Sequence, residues 1–156
     1  MNPNKPMITL DFDGVIHQYT SPWVSAEIIP DPPVEGAIEW LFKARVKYDL
    51  AILSARSKEP GGIQAMQRWL KRHLVKWLQA PGKVSQIQAR QTLAGYHPET
   101  NDDQYELLTW ADSVVNSIQW PTTKLPSMLY IDDNGYRFEG KWPDVDALDD
   151  LESWVK

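Results

Sequence analysis

The sequence predicts an α/β fold in which a mainly parallel sheet is flanked by helices. Three short apolar runs, at 7–10, 50–53 and 128–131, have the length and β-branched content of buried strands. Segments with the 3- and 4-residue apolar spacing of amphipathic helices separate these runs. Short buried strands that alternate with amphipathic helices are typical of parallel α/β sheets. We therefore expect one such sheet, with helices packed against it.

The first strand is followed by residues 14–30, which have no regular period and are expected to form a loop, called the flap below. A helix should follow, because Asp31 can cap it and Pro32 and Pro33 suit its first turn. Its apolar face would comprise Val34, Ala37, Ile38, Leu41 and Ala44.

The second strand, which ends at Ser54, is followed by a long amphipathic helix within 60–82, which Pro81 and Gly82 should end. Its apolar positions are Ile63, Met66, Leu70, Leu74 and Trp77. Residues 83–101 are ambiguous, and a third helix is predicted within 102–118. A last helix should begin after Asp144 and carry Val145, Leu148, Leu151 and Trp154.

Composition indicates a single globular domain over 1–156. The chain is 42% hydrophobic and 24% charged, and its net charge of −5 argues against general binding of polyanions. The absence of cysteine excludes disulfides and thiolate metal sites and fits a reducing compartment. No apolar run reaches the roughly 18 residues that a membrane span needs, and the N-terminal segment is too polar for a signal peptide. We expect a cytoplasmic protein that does not enter a membrane.

Polar residues follow each predicted strand at the point where it ends. Asp11 and Asp13 come after the first strand, Ser54 after the second, and Asp132 and Asp133 after the third. Parallel strands bring these ends to one edge of the sheet, where ligands bind. Converging carboxylates repel each other and favour protonation, unless a hard cation such as Mg²⁺ binds between them. A single aspartate would be more simply a cap or turn residue, but two pairs favour a metal site.

Four segments resemble, in order, the signatures of the haloacid dehalogenase-like (HAD) superfamily. They are the Asp-x-Asp-Gly loop in LDFDGV, the strand ending in serine in LAILS, the lysine in TTKLP, and the strand with an acidic pair in MLYIDD. The resemblance spans about residues 7–133 and implies an HAD-like, Rossmann-type fold. Lys124 is the best match for the lysine, although Lys141 could take its place.

The resemblance implies an Mg²⁺-dependent phosphatase. Asp11 would be the nucleophile and form an aspartyl-phosphate, and Asp13 would protonate the leaving group and then activate water. The ligands of Mg²⁺ would be Asp11, the backbone carbonyl of Asp13, and Asp132, with Asp133 binding directly or through water.

Further residues would then bind the phosphoryl group. Ser54 and Lys124 would stabilise its charge, and Gly14 would let backbone N–H groups approach it. Receiver domains of response regulators use similar residues, but their acidic pair comes early in the chain, whereas here it comes late. A non-catalytic protein that binds Mg²⁺ and phosphate is another alternative.

Substrate specificity is less constrained. Residues 15–49 leave no room for a large cap domain, while 83–118 could form a small helical insert. By analogy, a nearly capless site suits a large substrate. Arg56, two residues after Ser54, resembles an element of phosphatases that act on nucleotides or polynucleotide ends, although it could simply form a surface ion pair. His17 could touch the leaving group or be solvated, and Trp23 could stack on a base.

A basic segment supports the same substrate class. No acidic residue occurs in 60–98, which holds Arg68, Lys71, Arg72, Lys76, Lys83 and Arg90. The helical spacing puts Arg68, Arg72 and Lys76 on one face, which could bind a phosphate backbone or be merely solvated. We expect a phosphomonoesterase acting on a nucleotide or nucleic-acid end phosphate. A phosphatase of small metabolites or of phosphoproteins is the alternative, and the oligomeric state stays open.

Overall fold

A three-stranded parallel sheet forms the centre of the molecule. The structure is a computed structural model, and it describes residues 5–80, 103–135 and 137–150. The strands are β1 (Met7–Leu10), β2 (Asp49–Ile52) and β3 (Leu129–Ile131), in the order β2-β1-β3. Leu10 lies opposite both Ile52 and Ile131, so that the three strands end at the same edge. The predicted parallel sheet is confirmed.

The first helix, α1 (Ala37–Lys47), begins later than predicted. Gly36 precedes it with a φ of +80°, a left-handed conformation that interrupts the helix there. Asp31 does not cap α1, because its carboxylate accepts hydrogen bonds from the backbone N–H groups of Thr20 and Ser21 and from the Ser21 hydroxyl. The predicted start was therefore wrong, since Asp31 closes the base of the flap instead.

Two further helices pack against each other. They are α2 (Gly62–Gln79) and α3 (Asp103–Ser117), joined at the surface by an ion pair of 2.6 Å between Lys71 Nζ and Asp112 Oδ1. The buried face of α3 supplies Trp110, Ala111, Val114 and Val115 to the core. The described part of the 83–118 segment is thus a core helix, while 83–102 lies outside the described residues.

The last described element is a 3₁₀ helix, Val145–Asp150. The Asp144 carboxylate accepts a hydrogen bond of 3.1 Å from the backbone N–H of Asp146, as predicted for a cap. The remaining predicted positions, Leu151 and Trp154, lie outside the described residues. None of the helices described by the structure is both long enough and apolar enough to cross a membrane.

Candidate active site

Three carboxylates converge at the edge of the sheet where the strands end. Asp11 follows β1, Asp132 and Asp133 follow β3, and one carboxylate oxygen from each lies within 4.8 Å of the others. The strand register explains this convergence, because the Asp11 N–H donates to the carbonyl of Ile131 at 2.9 Å. An all-oxygen set with three negative charges has the chemistry that Mg²⁺ requires. These residues therefore fit a hard divalent cation.

The electrostatics of this trio also favour a cation. The pKa of Asp11 is raised to about 7, chiefly by burial and also by the charges of Asp132, Asp133 and Asp13. A hydrogen bond from the Phe12 N–H acts in the opposite direction and lowers it. Burial likewise raises the pKa of Asp133, again with contributions from Asp132 and Asp13. The neighbouring charges thus make ionisation of Asp11 and Asp133 harder, and a bound cation would remove that repulsion.

Gly14 allows the two acidic segments to approach each other. Its φ is +82°, and a Cβ atom built on it would lie 2.2 Å from Oδ2 of Asp133. Its N–H donates to the carbonyl of His17 at 2.8 Å, so this group closes the turn that follows β1. Its predicted role was to let backbone N–H groups reach phosphate, whereas the structure uses this N–H within the turn.

We expect Gly14→Ala to weaken metal binding and to lower stability by more than the roughly 1–3 kcal/mol cost of a left-handed alanine. Gly36→Ala is a matched control, because Gly36 has nearly the same φ but nothing within 4 Å of its Cβ position. The check is a denaturant midpoint and a Mg²⁺ titration for both variants. Equal effects of the two substitutions would show that contact with Asp133 is unimportant.

Asp13 occupies a different environment from the metal trio. Its two carboxylate oxygens accept hydrogen bonds from Nε of Arg56, at 3.1 Å for Oδ1 and 2.9 Å for Oδ2. Nδ1 of His17 lies 2.8 Å from Oδ1. The backbone N–H of Asp31 donates to Nε2 of the same ring at 3.1 Å. Because Nε2 accepts, the proton of the neutral imidazole is assigned to Nδ1, which donates to Asp13.

His17 and Arg56 are buried residues, whereas His17 was expected to be solvated or to touch a leaving group and Arg56 was considered as part of a surface ion pair. The His17 side chain is fully buried and packs on Phe12 and Trp69, so it is neither solvated nor open to a leaving group. Arg56 is 1% exposed and forms a buried ion pair with Asp13 rather than a surface one. A solvated His17 and a surface ion pair of Arg56 are both wrong, because His17 packs inside the molecule and Arg56 is bonded to carbonyls of the flap. The resemblance of Arg56 to an element of nucleotide phosphatases stays a prediction.

Ser54 also lies at this edge of the sheet. It is buried, and its hydroxyl accepts a hydrogen bond of 3.2 Å from the N–H of Arg56, the second residue of a 3₁₀ helix, Ala55–Lys58. None of the described residues accepts the proton of this hydroxyl, which can therefore donate to an anion. By capping this short helix, Ser54 fixes the backbone from which the Arg56 side chain extends.

Lys124 borders an open cleft of about 820 Å³ that Asp132 also lines, together with Leu53, Tyr130 and Arg137. Its Nζ lies 4.4 Å from the centre of the Tyr130 ring, a cation–π contact. Lys141 is exposed and is not among the described residues that line this cleft. Arg137 also lines this cleft but was not predicted from the sequence. The one feature that could have indicated it is its position, since it is a basic residue shortly after the acidic pair.

Trp23 lies in the flap and is 46% exposed. The guanidinium carbon of Arg56 lies 4.4 Å from the centre of its ring, so one buried cation contacts both Trp23 and Asp13. The structure therefore places this ring against the guanidinium that pairs with Asp13, while leaving about half of the side chain open to solvent.

Comparisons of the chain with protein-family models, with curated proteins and with solved structures gave no match. The functional assignment of this site consequently depends on its own geometry and on the resemblance of its motifs.

Proposed function

We propose that the protein is a Mg²⁺-dependent phosphomonoester hydrolase of HAD-like fold that uses Asp11 as its nucleophile. The observation that carries this proposal is the convergence of Asp11, Asp132 and Asp133 within 4.8 Å, with Asp13 outside this trio and bonded to His17 and Arg56. A metal-binding trio and a separate carboxylate are the two parts that phosphoryl transfer through a carboxylate requires.

The first step would be attack by a carboxylate oxygen of Asp11 on phosphorus. The bond between phosphorus and the ester oxygen breaks, and Asp13 gives its proton to that oxygen. Water then attacks the phosphorus of the aspartyl-phosphate and loses a proton to Asp13, which restores Asp11 and releases inorganic phosphate. When bound by the trio, Mg²⁺ would supply positive charge that favours ionised Asp11 and neutralises the phosphoryl oxygens.

The bonding of Asp13 distinguishes its two carboxylate oxygens. Among the described residues, Oδ1 receives donors from both His17 and Arg56, whereas Oδ2 receives only Arg56. Oδ2 therefore keeps the greater capacity to carry the transferred proton. Ser54 and Lys124 would bind the phosphoryl oxygens, since one keeps a hydroxyl proton and the other a cation beside the same edge.

The test is a phosphatase panel with Mg²⁺ that covers nucleotides, sugar phosphates, phosphopeptides, and oligonucleotides with 3′ or 5′ phosphates. Release of phosphate from one class is expected. Borohydride reduction during turnover should convert Asp11 to homoserine, because it traps an acyl phosphate, and mass spectrometry would detect this. If phosphate analogues bind with Mg²⁺ but no ester is hydrolysed, the alternative of a non-catalytic binding protein is correct.

A nucleotide or nucleic-acid end phosphate remains our proposed substrate class, in preference to a small metabolite or a phosphoprotein. Two features support it, the exposed Trp23 on the guanidinium of Arg56 and the basic row on α2. Arg68, Arg72 and Lys76 are all exposed, and none forms an ion pair with another described residue. Action in the cytoplasm is likewise a proposal, based on the absence of cysteine.

We expect replacement of Arg68, Arg72 and Lys76 by glutamine to weaken oligonucleotide binding and to flatten its dependence on salt. Each phosphate contact that is lost should reduce the log–log slope by about 0.7 for single strands and 0.9 for duplex DNA. Anisotropy titrations at several salt concentrations would measure this, with Lys43→Gln/Lys47→Gln on α1 as the control. An unchanged slope would mean that the row is only a solvated face, and a small phosphorylated substrate would then be favoured.

A further inference from the structure

Arg56 is the most heavily bonded buried cation among the described residues, and the mechanism above does not use it. Its Nε donates to Asp13, and its Nη1 lies within hydrogen-bonding distance of the carbonyl oxygens of Ser25, Ala26 and Ile28, at 3.1, 2.9 and 3.1 Å. All three carbonyls belong to the flap. One guanidinium therefore joins the flap to the carboxylate that we propose as acid and base.

The chemistry of this contact depends on a guanidinium. Three backbone dipoles and one carboxylate compensate the charge of a side chain that is 1% exposed, and Trp23 covers its face. A lysine ammonium would keep the charge but would lack the planar, forked set of donors that reaches both partners. If the flap moved away, Arg56 would lose the carbonyls and its hold on Asp13 would loosen.

On the basis of the hydrolase function proposed above, we propose that Arg56 is a positioning residue that couples the seating of the flap to the orientation of Asp13. Asp13 then has its working orientation only while the flap is bound to Arg56. A substrate that contacts the flap would consequently influence proton transfer to its own leaving group.

The catalytic test uses Arg56→Lys and Arg56→Gln with a series of aryl and alkyl phosphates whose leaving groups differ in basicity. Poor leaving groups need the proton from Asp13 in the step that forms the aspartyl-phosphate, so kcat/KM for them, which reports that first step, should fall by about 100-fold. For leaving groups that depart without a proton, kcat/KM should fall by less than about threefold, because Asp11 and the metal ligands are unchanged. Guanidinium ions should restore part of the activity of Arg56→Ala.

The flap contact has a test that does not depend on activity. Chymotrypsin should cleave after Trp23 faster in Arg56→Gln than in the wild type, because the carbonyls of the flap have lost their donor. Arg45→Gln is the matched control for both tests, since Arg45 is a partly buried arginine that packs on Phe42 and Trp110. This variant should show neither the leaving-group dependence nor the faster cleavage.

The outcomes separate this inference from the proposed function. An equal loss of kcat/KM for all leaving groups would refute the orientation of Asp13 by Arg56 and leave the phosphatase proposal standing. Unchanged cleavage after Trp23 would refute the contact with the flap. If the wild type has no hydrolysis that depends on Asp11, the proposed function is wrong, the catalytic part of the inference fails with it, and proteolysis alone decides the flap contact.

Discussion

Asp11→Asn is expected to reduce hydrolysis of phosphate esters by at least about 10⁴-fold in kcat, the scale seen when a catalytic nucleophile is removed. An amide lacks the charge and the basic lone pair with which a carboxylate attacks phosphorus. The fold should survive, because asparagine has the same shape and its amide oxygen can still accept the hydrogen bond that Phe12 donates to Asp11. Weak metal binding should also remain through that oxygen, Asp132 and Asp133.

The measurement is phosphate release under saturating Mg²⁺, together with a thermal melt and a Mg²⁺ titration of the same protein. Asp49→Asn is the matched control, because Asp49 begins β2 opposite Met7, at the far end of the sheet from the site. It should keep nearly full activity. Hydrolysis by pure Asp11→Asn at close to the wild-type rate would eliminate Asp11 as the nucleophile.

Removal of the metal is expected to abolish activity and to make stability depend strongly on pH. Without a cation, the pKa of Asp11 is raised from 3.8 to about 7, chiefly by burial, so the folded protein holds a proton that the unfolded chain releases. This protonation stabilises the folded state fully below about pH 4, and the stabilisation is lost as pH rises through 7. The loss is at most roughly 4 kcal/mol, because each pKa unit corresponds to about 1.36 kcal/mol and solvent screens this partly exposed carboxylate.

The raised pKa of Asp133 acts in the same direction. Asp31 does not obscure the effect, because hydrogen bonds from Ser21 and Thr20 lower its pKa, so its contribution is lost only at pH values below about 4. Denaturant midpoints between pH 5 and 8.5 should therefore fall with rising pH in excess chelator. With Mg²⁺ they should stay nearly constant, because the cation compensates the carboxylates.

Asp132→Ala should reproduce much of the chelator's effect on activity. Asp132 is an exposed member of the carboxylate trio, and it also lines the open cleft beside Lys124. Asp49→Asn again serves as the control. Full activity of the wild type in excess chelator, or of Asp132→Ala with Mg²⁺, would contradict the metal site. Identical pH profiles with and without Mg²⁺ would contradict the electrostatic argument.

Local sequence patterns determined the strands and the chemistry at their ends. Met7–Leu10 is a short apolar run followed at once by Asp11 and Asp13, and the helices between the strands require parallel connections. Parallel strands end at one edge of the sheet, so carboxylates after β1 and after β3 are expected to meet although about 120 residues separate them along the chain. The convergence of Asp11 with Asp132 and Asp133 follows from this topology, and it needs no knowledge of side-chain packing.

The start of α1 and the burial of His17 and Arg56 were decided only by the tertiary structure. Asp31 could cap a helix as well as a turn, and the hydrogen bonds from Thr20 and Ser21 settled that choice. The flap has no periodic pattern, so nothing local indicates that its carbonyls surround Arg56. Whether a polar side chain is buried depends on partners distant in sequence. Burial removes its hydration, and the free-energy cost is offset only when those partners satisfy its charge and hydrogen bonds.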